Sequence, residues 1–391
     1  MDERLGPISK GLWLQVFSFL DNNRYYSRLR LLSKKFYDIV NSPGYWHNII
    51  IKDEFGIIPS FNEKLLRSLG EMSSTLDILE VKISEEFQGK SELFEELLKL
   101  TNLVSLKVRV VKEDYIEVFN FYSLLCDIIK NNPKMRSLTL SCFLHKGVIS
   151  GLTDTLQEHP SLEVIDFSNN RISTYAAVKI ASIIRESKKL RKLDLSYNDI
   201  EDQGAHWIVD ALKSCETLEY LNLDWNMLSV EAVRILSLAL KTGTSLKEVN
   251  MMRRYTDYEI ISEIGIGLLA SGLFTCTTLK SFTLNLPEYR SASKLAEGFS
   301  AGSSLEDLTL HKMDDQAALK ICSALKELTT LKRLDLSGPG MQAEALNELA
   351  GAIRSNPLLE NLRVECDADA IDDAGDFGLA LSNLARLRRL Q

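Results

Sequence analysis

Apolar residues recur along the chain in a fixed six-residue arrangement, L-x-x-L-x-L. Four copies are clear: Leu162, Ile165 and Phe167; Leu190, Leu193 and Leu195; Leu218, Leu221 and Leu223; Leu331, Leu334 and Leu336. Weaker copies start at Leu76, Leu103, Met135, Leu246, Leu279, Leu305 and Leu359. From Leu76 the successive starts are separated by 27, 32, 27, 28, 28, 28, 33, 26, 26 and 28 residues, which is an internal repeat. The last four residues of each copy alternate apolar and polar, as in a short strand with one buried face. Apolar residues then follow at i, i+3 and i+4, in Ala177–Ile184, Ile208–Leu212 and Ala232–Ala239, which predicts a helix. One strand and one helix per unit predict an α/β solenoid. Its strands line a concave face as a parallel sheet and its helices line the convex face, as in a horseshoe.

At the ninth motif position three copies place Asn170, Asn198 and Asn226. An amide there can satisfy backbone groups where the chain leaves the strand, which an apolar side chain cannot do. The motif, the asparagine and a unit near 28 residues resemble leucine-rich repeats of the ribonuclease-inhibitor-like class. The two long steps carry their extra residues in Val111–Asn120 and around Arg253–Ile264, and insertions of this kind map to surface loops on one edge of a solenoid. Leu387, Arg388, Arg389, Leu390 and Gln391 align with the start of a twelfth motif cut in mid-strand, so the expected array is about eleven units over residues 76–391 plus that start.

Motif positions 3, 5, 7 and 8 are expected on the concave face, stacked in columns about 4.8 Å apart. The position-8 column reads Cys142, Asn169, Tyr197, Trp225 and Arg253, and Tyr220 and Asp224 lie beside Trp225. Tyr, Trp and Arg are the residue types enriched where binding energy concentrates. Tyr197, Tyr220, Asp224, Trp225 and Arg253 are therefore the candidate residues for holding a protein target, Arg253 as a cation beside the Trp225 ring. The alternative is a column of aromatic rings that only pack on one another. Position 5 reads Asp166, Asp194, Asn222 and Asn250, an acidic start that favours a basic partner segment.

Residues 1–52 do not fit the repeat, and residues 53–75 read as a linker or N-terminal cap of the solenoid. The apolar spacing in residues 1–52 suggests three short helices broken at Asp21–Asn23 and Asn41–Gly44. The run Val16-Phe-Ser-Phe-Leu20-Asp21, then Leu32-Ser-Lys-Lys-Phe36, then a late Trp46, resembles the F-box, with Ile8-Ser9 in place of the usual Leu-Pro start and Gly11 in place of the Glu that often follows. The resemblance implies docking to a Skp-type adaptor, and through it to a cullin. Ile8, Leu12, Leu14, Phe17, Leu20 and Leu32 would make the contact, with Trp46 holding the third helix or the contact itself. If those residues instead bury against the repeats, the module is a cap.

Charge divides the same way. The chain of 391 residues carries 46 Lys/Arg against 54 Asp/Glu, a net −8. Residues 1–52 hold 8 basic and 4 acidic residues, or +4, which leaves 38 minus 50, or −12, for the rest. That argues against nucleic acid for the repeats. No stretch is long and apolar enough to span a bilayer, and no signal-peptide pattern opens the chain. The six cysteines are widely spaced and sit in apolar patterns, as free thiols of a reducing compartment do, so a cytoplasmic or nuclear location is expected.

Chemistry-bearing motifs are missing. His47, His145, His159, His206 and His311 are not spaced with Cys or carboxylates as metal ligands would be. Gly265-Ile-Gly267 falls in a helical stretch and is no phosphate loop, and the acid pairs Asp314-Asp315 and Asp372-Asp373 read as helix starts. Arg171 and Arg253 lie near the edge where a GTPase activator built on such repeats would act, but nothing singles them out. The sequence therefore predicts a non-enzymatic protein with no cofactor, and the F-box resemblance implies the substrate-recognition subunit of a Skp–cullin–F-box-type ubiquitin ligase. The alternative is a non-ligase repeat scaffold or inhibitor that binds a protein partner in the concave groove.

Overall fold

The structure is a computed structural model, and it describes residues 48–53, 78–84, 95, 97–111, 118–141, 144, 146–251, 263–285, 289–299, 304–311, 313–337, 341–366, 368–382 and 389–390. The chain divides into two compact units, Met1–Cys142 and Phe143–Gln391. Both follow an α/β plan of parallel strands alternating with helices, which is the leucine-rich-repeat solenoid that the motif predicts.

In the first unit, β1 (Asn48–Asp53), β2 (Ile78–Ser84), β3 (Ser105–Val111) and β4 (Ser137–Ser141) pair in parallel in that order. Helix α1 (Val118–Asn131) lies between β3 and β4. Pairing starts one strand earlier than the expected motifs. The strand β1 begins inside the expected helical module 1–52 and reaches the first residue of the expected linker. Its register sets Asn48 opposite Ile78, Ile49 opposite Leu79 and Ile51 opposite Val81, so Ile49 and Ile51 take the second and third apolar positions of the motif.

Among the described residues the second unit contains α2 (Lys146–Gln157) and then nine strands in sequential parallel order. These are β5 (Val164–Asp166), β6 (Lys192–Asp194), β7 (Tyr220–Asn222), β8 (Glu248–Met251), β9 (Ser281–Asn285), β10 (Asp307–His311), β11 (Arg333–Ser337), β12 (Asn361–Val364) and β13 (Arg389–Leu390). Between them run α3 (Thr174–Glu186), α4 (Asp202–Leu212), α5 (Val230–Thr242), α6 (Glu263–Thr275), α7 (Tyr289–Ala296), α8 (Asp315–Ala324) and α9 (Ala343–Ser355). Two short helices, α10 (Ala368–Asp372) and α11 (Gly375–Ser382), precede β13.

Each strand register reproduces the spacing of the motif. Lys192 pairs with Tyr220, Glu248 with Ser281 and Asp307 with Arg333, which are separations of 28, 33 and 26 residues. Arg389 pairs with Asn361, so the last motif start adds a strand. The long steps are absorbed between strand and helix, after Val111 and after Met251, in segments outside the described residues.

The core forms where the two periodicities meet. Leu190, Leu193 and Leu195 from one repeat, with Leu218, Leu221 and Leu223 from the next, are buried under the sheet. Ala176, Ala177, Ile180, Ala181, Ile183 and Ile184 bring the inner face of α3 against them. Small residues let neighbouring helices approach closely. A Cβ on Gly272 in α6 would lie 2.8 Å from the backbone oxygen of Ser237 in α5, so only glycine fits. Of the two acid pairs, Asp314 does start a helix: it caps α8 and accepts from the Ala317 N–H at 2.7 Å. Asp372 instead ends α10, because the chain breaks there before restarting at Gly375.

Candidate protein-binding face

Three buried asparagines close the ends of the strands. The Asn198 Oδ1 accepts from the backbone N–H groups of Asn170 and Ile172 in the preceding repeat, both at 2.9 Å. Its Nδ2 donates to the carbonyls of Phe167, Leu195 and Ser196. Asn226 repeats the scheme one unit on, accepting from Ile200 and donating to Leu195, Leu223 and Asp224. Asn170, Asn198 and Asn226 are thus a ladder that satisfies backbone groups buried away from water. The turn that follows each strand is also fixed from position 5, where Asp166, Asp194 and Asn222 accept from the backbone N–H two residues on.

With the turn pinned on both sides, the residue at position 8 is driven into the left-handed region. Asn169, Tyr197 and Trp225 take φ of 58°, 56° and 57°. Asparagine tolerates this conformation, whereas for a large aromatic residue it costs about 1–2 kcal/mol. Tyr197 and Trp225 consequently project side by side, with ring centroids 5.4 Å apart and planes within 6°. Tyr197 is 55% exposed although it is aromatic.

The other expected target-binding residues are placed differently. Tyr220 is half-buried on β7, beneath the Lys192 ammonium, which lies 5.9 Å from its ring centre. Burial, with the charges of Asp194 and Glu248, pushes its phenol up to about 12, so it stays a neutral hydrogen-bonding group. Asp224 is buried rather than presented to solvent. The ladder explains this: its N–H donates to the Asn222 Oδ1 and its carbonyl accepts from Tyr197 and Asn226. Arg253, with the expected cation–ring pair, lies outside the described residues, as do Ile8, Leu12, Leu14, Phe17, Leu20, Leu32 and Trp46.

A second ladder, at motif position 2, escaped the sequence reading. Glu219 on its repeat lies between Arg191 at 2.8 Å and Lys247 at 3.0 Å. Glu306 lies between Lys280 at 3.2 Å and Lys332 at 2.5 Å. The hydrogen bond from Lys247 holds the Glu219 carboxyl below its ordinary range, and that from Lys332 does the same for Glu306. The alternation Glu163, Arg191, Glu219, Lys247 was the signal that would have found it. Further along the sheet, Arg333 grips Asp307 through two hydrogen bonds, Nε to Oδ1 at 2.7 Å and Nη2 to Oδ2.

Residues 10–48 match the F-box domain family, and residues 186–206 match a leucine-rich repeat family. The chain thus carries an F-box match near its N-terminus and a leucine-rich-repeat match within the solenoid. The F-box match ends at Asn48, the residue with which β1 begins, so F-box and repeat array are continuous in sequence. Both are protein-binding modules. Among the described residues no group of three or more His, Cys, Asp and Glu side chains is placed to hold a metal, and no helix is long and apolar enough to cross a membrane. Among the described residues Cys126, Cys215, Cys276 and Cys322 are buried thiols outside any disulfide, and Cys366 is a half-buried one. No curated protein matches the chain in sequence. Among solved structures, leiomodin-1 actin-binding site 2 aligns at 18% identity over 40% of this chain and 91% of its own, with a TM-score of 0.31.

Proposed function

We propose that this protein is the substrate-recognition subunit of a Skp–cullin–F-box-type ubiquitin ligase. The observation that carries the reading is the F-box match at residues 10–48, running directly into the first strand of the repeats. In this reading residues 1–52 dock a Skp-type adaptor through Ile8, Leu12, Leu14, Phe17, Leu20, Leu32 and Trp46, and the adaptor brings the cullin. The repeats hold a protein target on the sheet face opposite the helices, with Tyr197, Trp225, Tyr220 and Arg253 as the contact residues; buried Asp224 is left out of that set. The chain performs no bond chemistry itself, and it acts in the cytoplasm or nucleus, where the ligase machinery works.

Co-expression of the full chain with a Skp-type adaptor tests this. Wild type co-purifies with the adaptor, and the double substitution Phe17→Asp with Leu20→Asp abolishes capture while the far-UV circular dichroism and the melting of the repeats stay unchanged. If wild type captures no adaptor, the ligase reading is lost and the scaffold or inhibitor reading takes its place.

A further inference from the structure

The strands that lead to the Tyr197–Trp225 pair carry a charge that no ion pair among the described residues compensates. Asp166 and Asp194 are direct partners on neighbouring parallel strands, so two carboxylates share one face about 4.8 Å apart. Like charges directly opposite each other destabilise a sheet. Among the described residues no ion pair relieves either of them. Their hydrogen bonds come from neutral donors: Ser168 N–H to Asp166, and Ser196 N–H, Ser196 Oγ and Asn222 Nδ2 to Asp194. The cation two residues before Asp194, Lys192, is turned onto the Tyr220 ring.

Asp194 is tied through both Ser196 donors to the residue just before Tyr197. Trp225 covers one face of the Tyr197 ring, and the ring remains 55% exposed, so its accessible surface is the other face and the edge. The Tyr197 ring, three residues on from Asp194, and a pair of carboxylates thus lie at the C-terminal end of β5 and β6. A guanidinium answers both at once. Its plane stacks on a ring, and its fork of N–H donors matches a carboxylate, whereas an ammonium is a compact point charge that does neither as well.

We propose that Tyr197, Trp225, Asp166 and Asp194 form a subsite for an arginine side chain of the protein segment held by the repeats. The proposal rests on the reading of the repeats as the target-binding part of the chain. It names the chemistry of the target's anchor residue: an arginine in an exposed segment, flanked by residues without negative charge.

The test uses the full chain co-purified with its adaptor and synthetic twelve-residue peptide pools, randomised except for a central residue fixed as Arg, Lys, Gln or Glu. The Arg pool is expected to be retained about fivefold better than the Gln pool and better than the Lys pool, with the Glu pool excluded, and to lose its advantage in high salt. Two substitutions that copy neighbouring repeats remove the site without disturbing the turn. Tyr197→Asn installs the residue found at Asn169, which has the same φ, and Asp194→Asn installs the residue found at Asn222. Each is expected to bring the Arg pool to parity with Gln, while Tyr197→Phe keeps the preference. Parity in wild type, equal retention of the Lys pool, a preference for Glu, or an Arg preference that survives Tyr197→Asn overturns the proposal. Adaptor capture is read on the same samples. Lost peptide preference with adaptor bound sinks only this subsite, and peptide preference without adaptor sinks only the ligase reading.

Discussion

Asn198 reaches back 28 residues to accept a hydrogen bond from the Asn170 N–H at 2.9 Å, so a side chain of one repeat closes the turn of the repeat before it. Replacing it by alanine strands the Asn170 and Ile172 N–H groups and the Phe167 carbonyl in a buried setting, whereas the Leu195 carbonyl keeps its bond from Asn226. Buried groups left unpaired cost about 1–3 kcal/mol each, partly recovered by relaxation and water. Asn198→Ala is expected to destabilise the second unit by about 3 kcal/mol or more, measured by urea denaturation.

The α5–α6 contact gives a sharper test of packing. Gly272→Ala places a methyl group 2.8 Å from the Ser237 carbonyl oxygen, a backbone atom that cannot swing away. Overpacking of this kind costs about 1–3 kcal/mol. Gly151→Ala in α2, where no atom lies within 4 Å of the new Cβ, is the matched control and should be neutral or slightly stabilising.

Acid should loosen the position-2 ladder. Folding lowers the Glu219 and Glu306 carboxyls below their ordinary 4.5, because Lys247 with Arg191, and Lys332 with Lys280, favour the charged form. The unfolded chain therefore binds these protons first. The stability they contribute is fully present above about pH 4.5 and is lost as pH falls through the lower folded-state values. Thermal melts between pH 6 and 3 should show a decline that is shallower in the double variant Glu219→Gln with Glu306→Gln. A variant profile as steep as that of wild type would assign the acid sensitivity to other groups.

Thiol labelling checks the core directly. Full burial pushes the Cys322 thiol up to about 12, so at pH 8 almost no reactive thiolate forms. Among the cysteines described, Cys366 is expected to react first in the native protein. Cys322 should react only after denaturant opens the fold, with peptide mapping as the readout.

Most of the architecture could be read from spacing because each strand pairs with the next at the interval separating their leucines. The strand β1 escaped because its apolar residues, Ile49 and Ile51, read equally well as the tail of a helical module. The aromatic column was legible as a list of residues, but its geometry was not. The left-handed turn at Tyr197 is imposed by hydrogen bonds from side chains and backbone 28 or so residues away, and no local propensity of tyrosine announces it. The burial of Asp224 has the same origin. Charge alternation at position 2 was present in the sequence but competes with the many other exposed Lys and Glu residues on such surfaces.

The parallel spacing of β5 to β8 sets a commensurability limit on anything extended that lies across them. The strands advance about 4.8 Å at each step, whereas a stretched partner advances about 3.4 Å per residue. The two rulers come back into phase only after about five strands and seven partner residues. Across the stretch β5–β8 such a partner therefore has one residue in step with the Tyr197–Trp225 column, and its neighbours fall between columns. Recognition of this kind reads a single anchor closely and is lenient toward the sequence on either side of it.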